Sequence, residues 1–390
     1  MKQLGALVLS LYFFIPAYTQ ENGAKSILFI DTHNDVISKQ LLLGADLLVS
    51  QPRLNFDLPR AIKGNLAAQV FSIFCDDQYG HGTAFARANR EIDSLHAFIS
   101  RSAGKVVFVT NSKQLKKAIK KKQLAAMIGV EGGHMIEDRM DYLDSLINRG
   151  MKYLTLTWNN STSWASSARD EETAKDSLPH VGLTVMGREI VKRLNNKGVM
   201  VDVSHAGERT FYDVIETSVK PVIASHSSAW AISPHRRNLK DDQLRAIAKT
   251  GGVVFVNFYS EFLDSSFASK KGAFLLQHKN ELDSLTKLMG DDFLATIKLF
   301  SIYKADTDSI RPPLSLLVKH IDHIARLIGI DHVGIGADFD GAESFPLQMD
   351  DVSTYPLLVA ELKMAGYSKS DIRKIAHKNF IRVLKANEKK

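Results

Sequence analysis

Eight short apolar runs punctuate this chain, and none of them alternates apolar with polar residues in the manner of a half-exposed strand. They are "SILFID" (26–31), "LAAQVFSIF" (66–74), "LAAMIGVE" (124–131), "KYLTLTW" (152–158), "VMVDVSH" (199–205), "PVIAS" (221–225), "GGVVFVNF" (251–258) and "HVGIGAD" (332–338). Unbroken apolar strands are expected where both faces are covered, as in a parallel sheet flanked by helices. Amphipathic stretches of helical period lie between the runs, for example "LTVMGREIVKRLNNKG", which ends on a glycine stop signal. Eight such units predict an α/β fold, a (β/α)8 TIM-type barrel. No G-x-G-x-x-G turn follows the first run, which argues against an open dinucleotide-binding sheet. The stretch 259–313 is too long for a simple connection and reads as an insertion over the barrel mouth, before the last strand. The last helices, 353–386, are expected on the barrel exterior.

The N-terminus "MKQLGALVLSLYFFIPAYTQENG" has a lysine, an apolar stretch from Leu4 to about Ala17 and then polar residues, the order of a secretory signal peptide. That stretch is shorter than the about 20 residues a membrane span needs. The expected division is therefore a signal peptide at 1–19 and one domain at 20–390, exported as a periplasmic or secreted protein without a stable membrane anchor. Cys75 is the only cysteine, which excludes an intrachain disulfide and leaves stability to a large core and bound metal. Net charge is +7, with one local lysine run, "KQLKKAIKKKQ" (113–123). Its helical spacing reads as a solvated helix face, and nucleic acid is not an expected partner.

In a barrel of this kind the C-terminal ends of the strands converge on one face, where active sites are built. Those ends carry His33 and Asp35 in "FIDTHND", Glu131 in "GVEGGH", His205, His226 and Asp338. Three imidazoles and three carboxylates are the donor types of a zinc-like hydrolytic site. One catalytic zinc ordinarily takes three protein ligands and a water, so this set suits two metals. His33 and Asp35 would hold one ion and His205 and His226 the other, with Glu131, flanked by glycine, as the bridge. Asp338 remains for proton transfer beside a metal-activated water.

The segments "DTHND", "GVEGGH", "YLTLTWNNSTSWASS", "VDVSHAG", "PVIASHSSAWAISPHRRNLKDDQL" and "DHVGIGADFDG" resemble the membrane dipeptidase (renal dipeptidase) family of zinc metallopeptidases, peptidase family M19. The likeness runs from about residue 27 to "KNFIRVL" near the C-terminus. It implies a barrel of the metal-dependent amidohydrolase kind with two Zn2+ per chain. It implies hydrolysis of dipeptides, often with a C-terminal D-residue, by a metal-bridging hydroxide; some members open β-lactam rings. Family ligands fall on His33, Asp35, Glu131, His205 and His226, and the general acid/base on Asp338. The family's substrate-carboxylate arginine falls on Arg237, whose planar fork suits a carboxylate. A homodimer is common in the family.

One position departs from the pattern. Where family members carry a histidine that reaches the substrate carbonyl, this chain has Trp158. Indole donates one hydrogen bond but can neither carry charge nor accept a proton. Oxyanion stabilisation would then rest on the metals or on a donor such as Asn159 or Asn160, or else Trp158 packs the pocket wall. His134 is read as a supporting group, His235 as a loop residue, and Asp340 as a partner of Asp338 or of the substrate amine. Two other functions stay open: an amidohydrolase of this fold acting on other small amides or lactams, and a catalytically weakened metal- or peptide-binding protein.

Overall fold

The computed structural model describes residues 27–76 and 80–389; the signal-peptide expectation for 1–19 lies outside them. All eight apolar runs form parallel strands. These are β1 (Phe29–Asp31), β2 (Leu66–Ile73), β4 (Leu124–Glu131), β5 (Met151–Thr155), β6 (Met200–Asp202), β7 (Ile223–Ala224), β8 (Val253–Val256) and β9 (Val333–Ile335). They neighbour one another in that order, and every residue of β2 and β4 is buried, as strands covered on both faces require. A ninth strand, β3 (Val106–Phe108), was not foreseen. It pairs with Leu124–Ala126 of β4, along the edge that β5 leaves uncovered by joining only at Ile128.

The seam between β9 and β1 is closed by backbone and side-chain bonds. Thr32 N–H reaches Ile335 O at 3.1 Å, Asp338 N–H reaches His33 O at 3.2 Å and Asp35 N–H reaches Phe339 O at 3.0 Å. Asp31, wholly buried, reinforces the join: Oδ1 accepts from Ala337 N–H (2.9 Å) and Oδ2 from the Tyr355 hydroxyl (2.6 Å). The seam therefore lays the segment bearing Asp338 against the one bearing His33.

Inside the barrel, Tyr153 reaches across from β5 to the β1 end. Gly129 leaves it room, since a Cβ there would stand 2.0 Å from the Tyr153 ring. The helix Asn379–Asn387 does not lie on the barrel exterior as expected. Its Phe380, Val383 and Leu384 join the apolar cluster of Ala68, Met127, Met200 and Phe255, so it plugs the N-terminal end of the barrel. The segment after β8 forms helices Ser260–Leu263, Phe267–Gln277, Lys279–Met289, Asp292–Ile302 and Lys304–Ile310, with a small core of its own around Phe267, Phe274, Leu299 and Phe300. Lys271 ties it to the loop after β9 through Glu343 at 2.8 Å. No helix among the described residues is long and apolar enough to cross a membrane.

Asp31→Ala would strand the Ala337 N–H and the Tyr355 hydroxyl in the core. A loss of about 2–4 kcal/mol is expected from two buried bonds to a charged acceptor. Urea denaturation of the variant measures it; a loss below about 0.5 kcal/mol would mean that Asp31 does not hold the seam.

Candidate metal centre

The strand ends converge as the barrel geometry demands. His33 lies two residues past β1, Glu131 ends β4, His205 and His226 follow β6 and β7, and Asp338 follows β9. All five are buried or nearly so. Glu131 sits at the centre with its two oxygens divided. Oε2 is 3.2 Å from His33 Nε2, while Oε1 is 2.9 Å from His205 Nε2 and 3.4 Å from His226 Nε2. Asp35 Oδ2 stands 3.5 Å from His33 Nε2, and Asp338 Oδ1 stands 3.9 Å from it.

The partners of each Nδ1 fix which nitrogen is free. Tyr153 donates its hydroxyl to Thr32 O (3.0 Å), so towards His33 Nδ1 (2.9 Å) it accepts. Ser225 Oγ donates to Asp202 Oδ2 (2.5 Å) and therefore accepts from His226 Nδ1 (2.8 Å). His205 Nδ1 donates to Asn159 Oδ1 at 3.2 Å. With a proton on each Nδ1, a ring in its neutral form turns a bare Nε2 lone pair to the centre. The Nε2 atoms of His205 and His226 face each other at 3.1 Å with no proton between them. Two nitrogens on one zinc, each at 2.0–2.1 Å in tetrahedral geometry, would stand about 3.3 Å apart. His33 Nε2 and Asp35 Oδ1 are buried without a hydrogen-bond partner. Two groups of donor atoms lie close enough together to hold a metal ion: His33, Glu131 and His226, and His33, Asp35 and Asp338.

Electrostatics point the same way. Burial pushes His205 down to about 3 and, followed by His33, holds His226 well below its ordinary value, so both rings stay neutral. Burial also lowers His33, but Tyr153, Glu131 and Asp35 outweigh it and hold this ring well above its usual range: the surroundings demand positive charge at that spot. Burial would raise Glu131, yet His33 first, and then the contacts that His205 and His226 make with its oxygens, hold its carboxyl well below the ordinary value. Asp338 is pushed up to about 8, chiefly by burial and by Asp35 and Glu131, against the opposing pull of His33. Its Oδ2 accepts from Asn257 Nδ2 at 2.9 Å, leaving Oδ1 towards the centre.

Arg237 is buried beside these groups. Nη2 donates to His226 O at 3.2 Å, Nε lacks a partner, and burial lowers the guanidinium to about 10, where it remains charged. A cavity of about 710 Å³ starts at His205 and Arg237 and opens past Arg236 and Trp230. Trp158 is half-buried, its ring 5.0 Å from Phe74 and 6.4 Å from His205. Asp340 stands apart from the imidazoles: Oδ1 accepts from Asn55 N–H (2.8 Å), and the residue lines another cavity, of about 350 Å³, with Lys39 and Arg53. Asn159 Oδ1 accepts from His205 Nδ1. His134 Nε2 bonds Cys75 O at 2.8 Å, and His235 accepts from Arg237 N–H at 3.2 Å, both supporting roles.

Sequence reasoning missed four groups. Asn257 ends the β8 run, so the strand-end rule that found the histidines would have found it. Tyr153 and Asp202 act from inside the barrel and carry no local signal. Gly341 leaves space that Asp35 and Asp338 fill: a Cβ there would lie 2.2 Å from Asp35 Oδ2 and 2.3 Å from Asp338 Oδ1. Gly341→Ala should therefore weaken metal retention, and Tyr153→Phe should do so by about 10–100-fold through loss of the His33 orienting bond. Metal content after dialysis against a graded chelator reads both; unchanged retention would contradict the assignment.

The membrane dipeptidase family (peptidase family M19) matches residues 21–390. A solved structure described as dipeptidase AC, a metallopeptidase of family M19, is 26% identical with a TM-score of 0.76, over 93% of this chain and 99% of that one. A metallopeptidase from Rhodobacter sphaeroides, solved with a phosphinate mimic of L-Ala-D-Ala, is 24% identical with a TM-score of 0.75, over 93% of this chain and 100% of that one. The probable dipeptidase PvdM from Pseudomonas aeruginosa is likewise 24% identical at 0.75, over 93% and 95%. With its barrel and its metal-ready strand ends, this chain belongs to the membrane dipeptidase family and is a metallo-dipeptidase.

Proposed function

We propose that the protein is an exported dipeptidase with two zinc ions, held by His33, Asp35, Glu131, His205 and His226. The observation that carries this reading is the division of Glu131: one oxygen towards His33, the other towards two imidazoles whose bare nitrogens face each other. When bound, the ions supply an acidified water and a polarised scissile carbonyl.

The chain's own groups do the rest. Asp338 takes the water proton on Oδ1, because Asn257 occupies Oδ2, and returns it to the leaving amine. Arg237 receives the C-terminal carboxylate of the substrate, with its unpartnered Nε inside a buried site where charge-assisted bonds are strong. The clamp limits substrates to very short peptides. The broad cavity beyond it leaves room for a C-terminal residue of either hand, in keeping with the D-residue tolerance that the resemblance implies. Trp158, packed between Phe74 and His205, forms the wall where other members place a histidine. Its packing supports the wall reading over catalytic silence. Asp340 holds the loop at Asn55 and through it the shape of the mouth.

Metal analysis combined with turnover on L-L and L-D dipeptides tests the reading. Two equivalents of zinc and activity that disappears on C-terminal blocking are expected; full activity on blocked substrates would remove Arg237 from the site and favour the wider amidohydrolase reading. Asp338→Asn should fold and keep its metal but lose about 10²–10⁴-fold in kcat. Near-normal turnover by that variant would remove Asp338 as the proton carrier.

A further inference from the structure

The lysine run of the sequence forms the helix Ser112–Lys120 and its C-terminal turn. Leu115 and Ala118 face inward, while Lys113, Lys116, Lys117, Lys120, Lys121 and Lys122 are all exposed. None of the six forms an ion pair among the described residues, and no acidic residue occurs between Asp93 and Glu131. Glu388 meets this helix at its first residue, where the hydroxyl of Ser112 (3.1 Å) and its N–H donate to the carboxylate.

Other elements add lysines on the same end of the barrel. Lys105 precedes β3, and Lys385 and Lys389 come from the helix that plugs the barrel and the turn after it. Lys220 joins them by donating to Ala386 O at 3.4 Å. All strands are parallel, so this face is the N-terminal end of the sheet, opposite the metal centre. The described chain also enters the fold here, at Ile27 just ahead of β1, and the apolar Leu4–Ala17 stretch precedes it in sequence.

We propose that this lysine-rich end is a docking surface for an anionic membrane, which holds the enzyme with its mouth turned to solvent. The charges are flexible ammonium groups on the convex outside of a helix, which suit a fluid layer of phosphate headgroups. A nucleic acid would call for a groove with stacking aromatics, and the helix carries no aromatic residue. Unpaired like charges this close repel one another, and a negative surface relieves that repulsion. Attachment of this type is reversible and falls with ionic strength.

The test is co-sedimentation of the full chain with vesicles of phosphatidylcholine alone and of equimolar phosphatidylcholine and phosphatidylglycerol. The neutral vesicles report any contribution of the apolar N-terminus. Stronger binding to the anionic vesicles is expected, with the increment lost at high salt. The variant K113Q/K116Q/K117Q/K120Q keeps helix propensity and should lose up to about 600-fold of the increment, each of the four lysines near an anionic surface being worth about five-fold. Its dipeptidase activity should be unchanged. The control variant K270Q/K279Q/K287Q/K298Q, on the helices after β8, should bind like the wild type. Equal binding to both vesicle types, an equal loss in the control, or displacement from anionic vesicles by a DNA duplex would each overturn the proposal.

Discussion

The site exists because the sheet closes. A parallel sheet that stayed open would leave the ends of β1 and β9 at opposite edges, with His33 and Asp338 far apart. The seam bonds around Thr32, Asp35 and Asp338 place those ends side by side, and Asp31 spans the join from below with both carboxylate oxygens occupied. Asp202 does the corresponding work under the other half of the centre. It accepts from Thr155, from the Ser225 hydroxyl and N–H, and from Ser204 N–H, which ties β5, β6 and β7 where His205 and His226 leave the sheet. Two buried aspartates thus set the frame in which three imidazoles meet one glutamate. Each is fully bonded, as a buried charge must be to be tolerated.

Much of this was legible from residue pattern, for a physical reason. Strands covered on both faces must be apolar throughout, so their ends are marked where polarity returns, and barrel closure brings those ends together. Eight strands and the positions of His33, Asp35, Glu131, His205, His226 and Asp338 followed from that one rule. What stayed hidden depends on relations that no local window carries. β3 is a three-residue patch on an edge created by the staggered start of β5. The plugging helix Asn379–Asn387 has the same amphipathic period it would show on the barrel flank, so its place under the strands could not be read from periodicity. Tyr153 looks like one more core aromatic until the opposite strand supplies His33 as a partner. The bond from His205 to the Asn159 carbonyl oxygen likewise joins two segments that no local window brings together.

Backbone conformation adds a further constraint. His205, Asp338 and Asp340 all sit at positive φ, of 65°, 64° and 66°, a region that residues with a side chain seldom adopt. They lie three to five residues past a strand end, where the chain must reverse sharply; at His205 and Asp338 the turn also aims a side chain at the centre, while Asp340 turns to Asn55. Glycine would ease such turns but would remove the imidazole or carboxylate that the turn exists to present. Non-glycine residues held in this way cost on the order of 1–3 kcal/mol each and persist only where the surroundings fix them. The surroundings here do so: Ala168 N–H and Thr157 Oγ1 hold His205 O, while Asn257 and the seam hold Asp338. Strain at the mouth is therefore balanced by the rigid strands and saturated aspartates beneath it, so a substitution that loosens Asp31 or Asp202 should release the mouth residues before it unfolds the barrel.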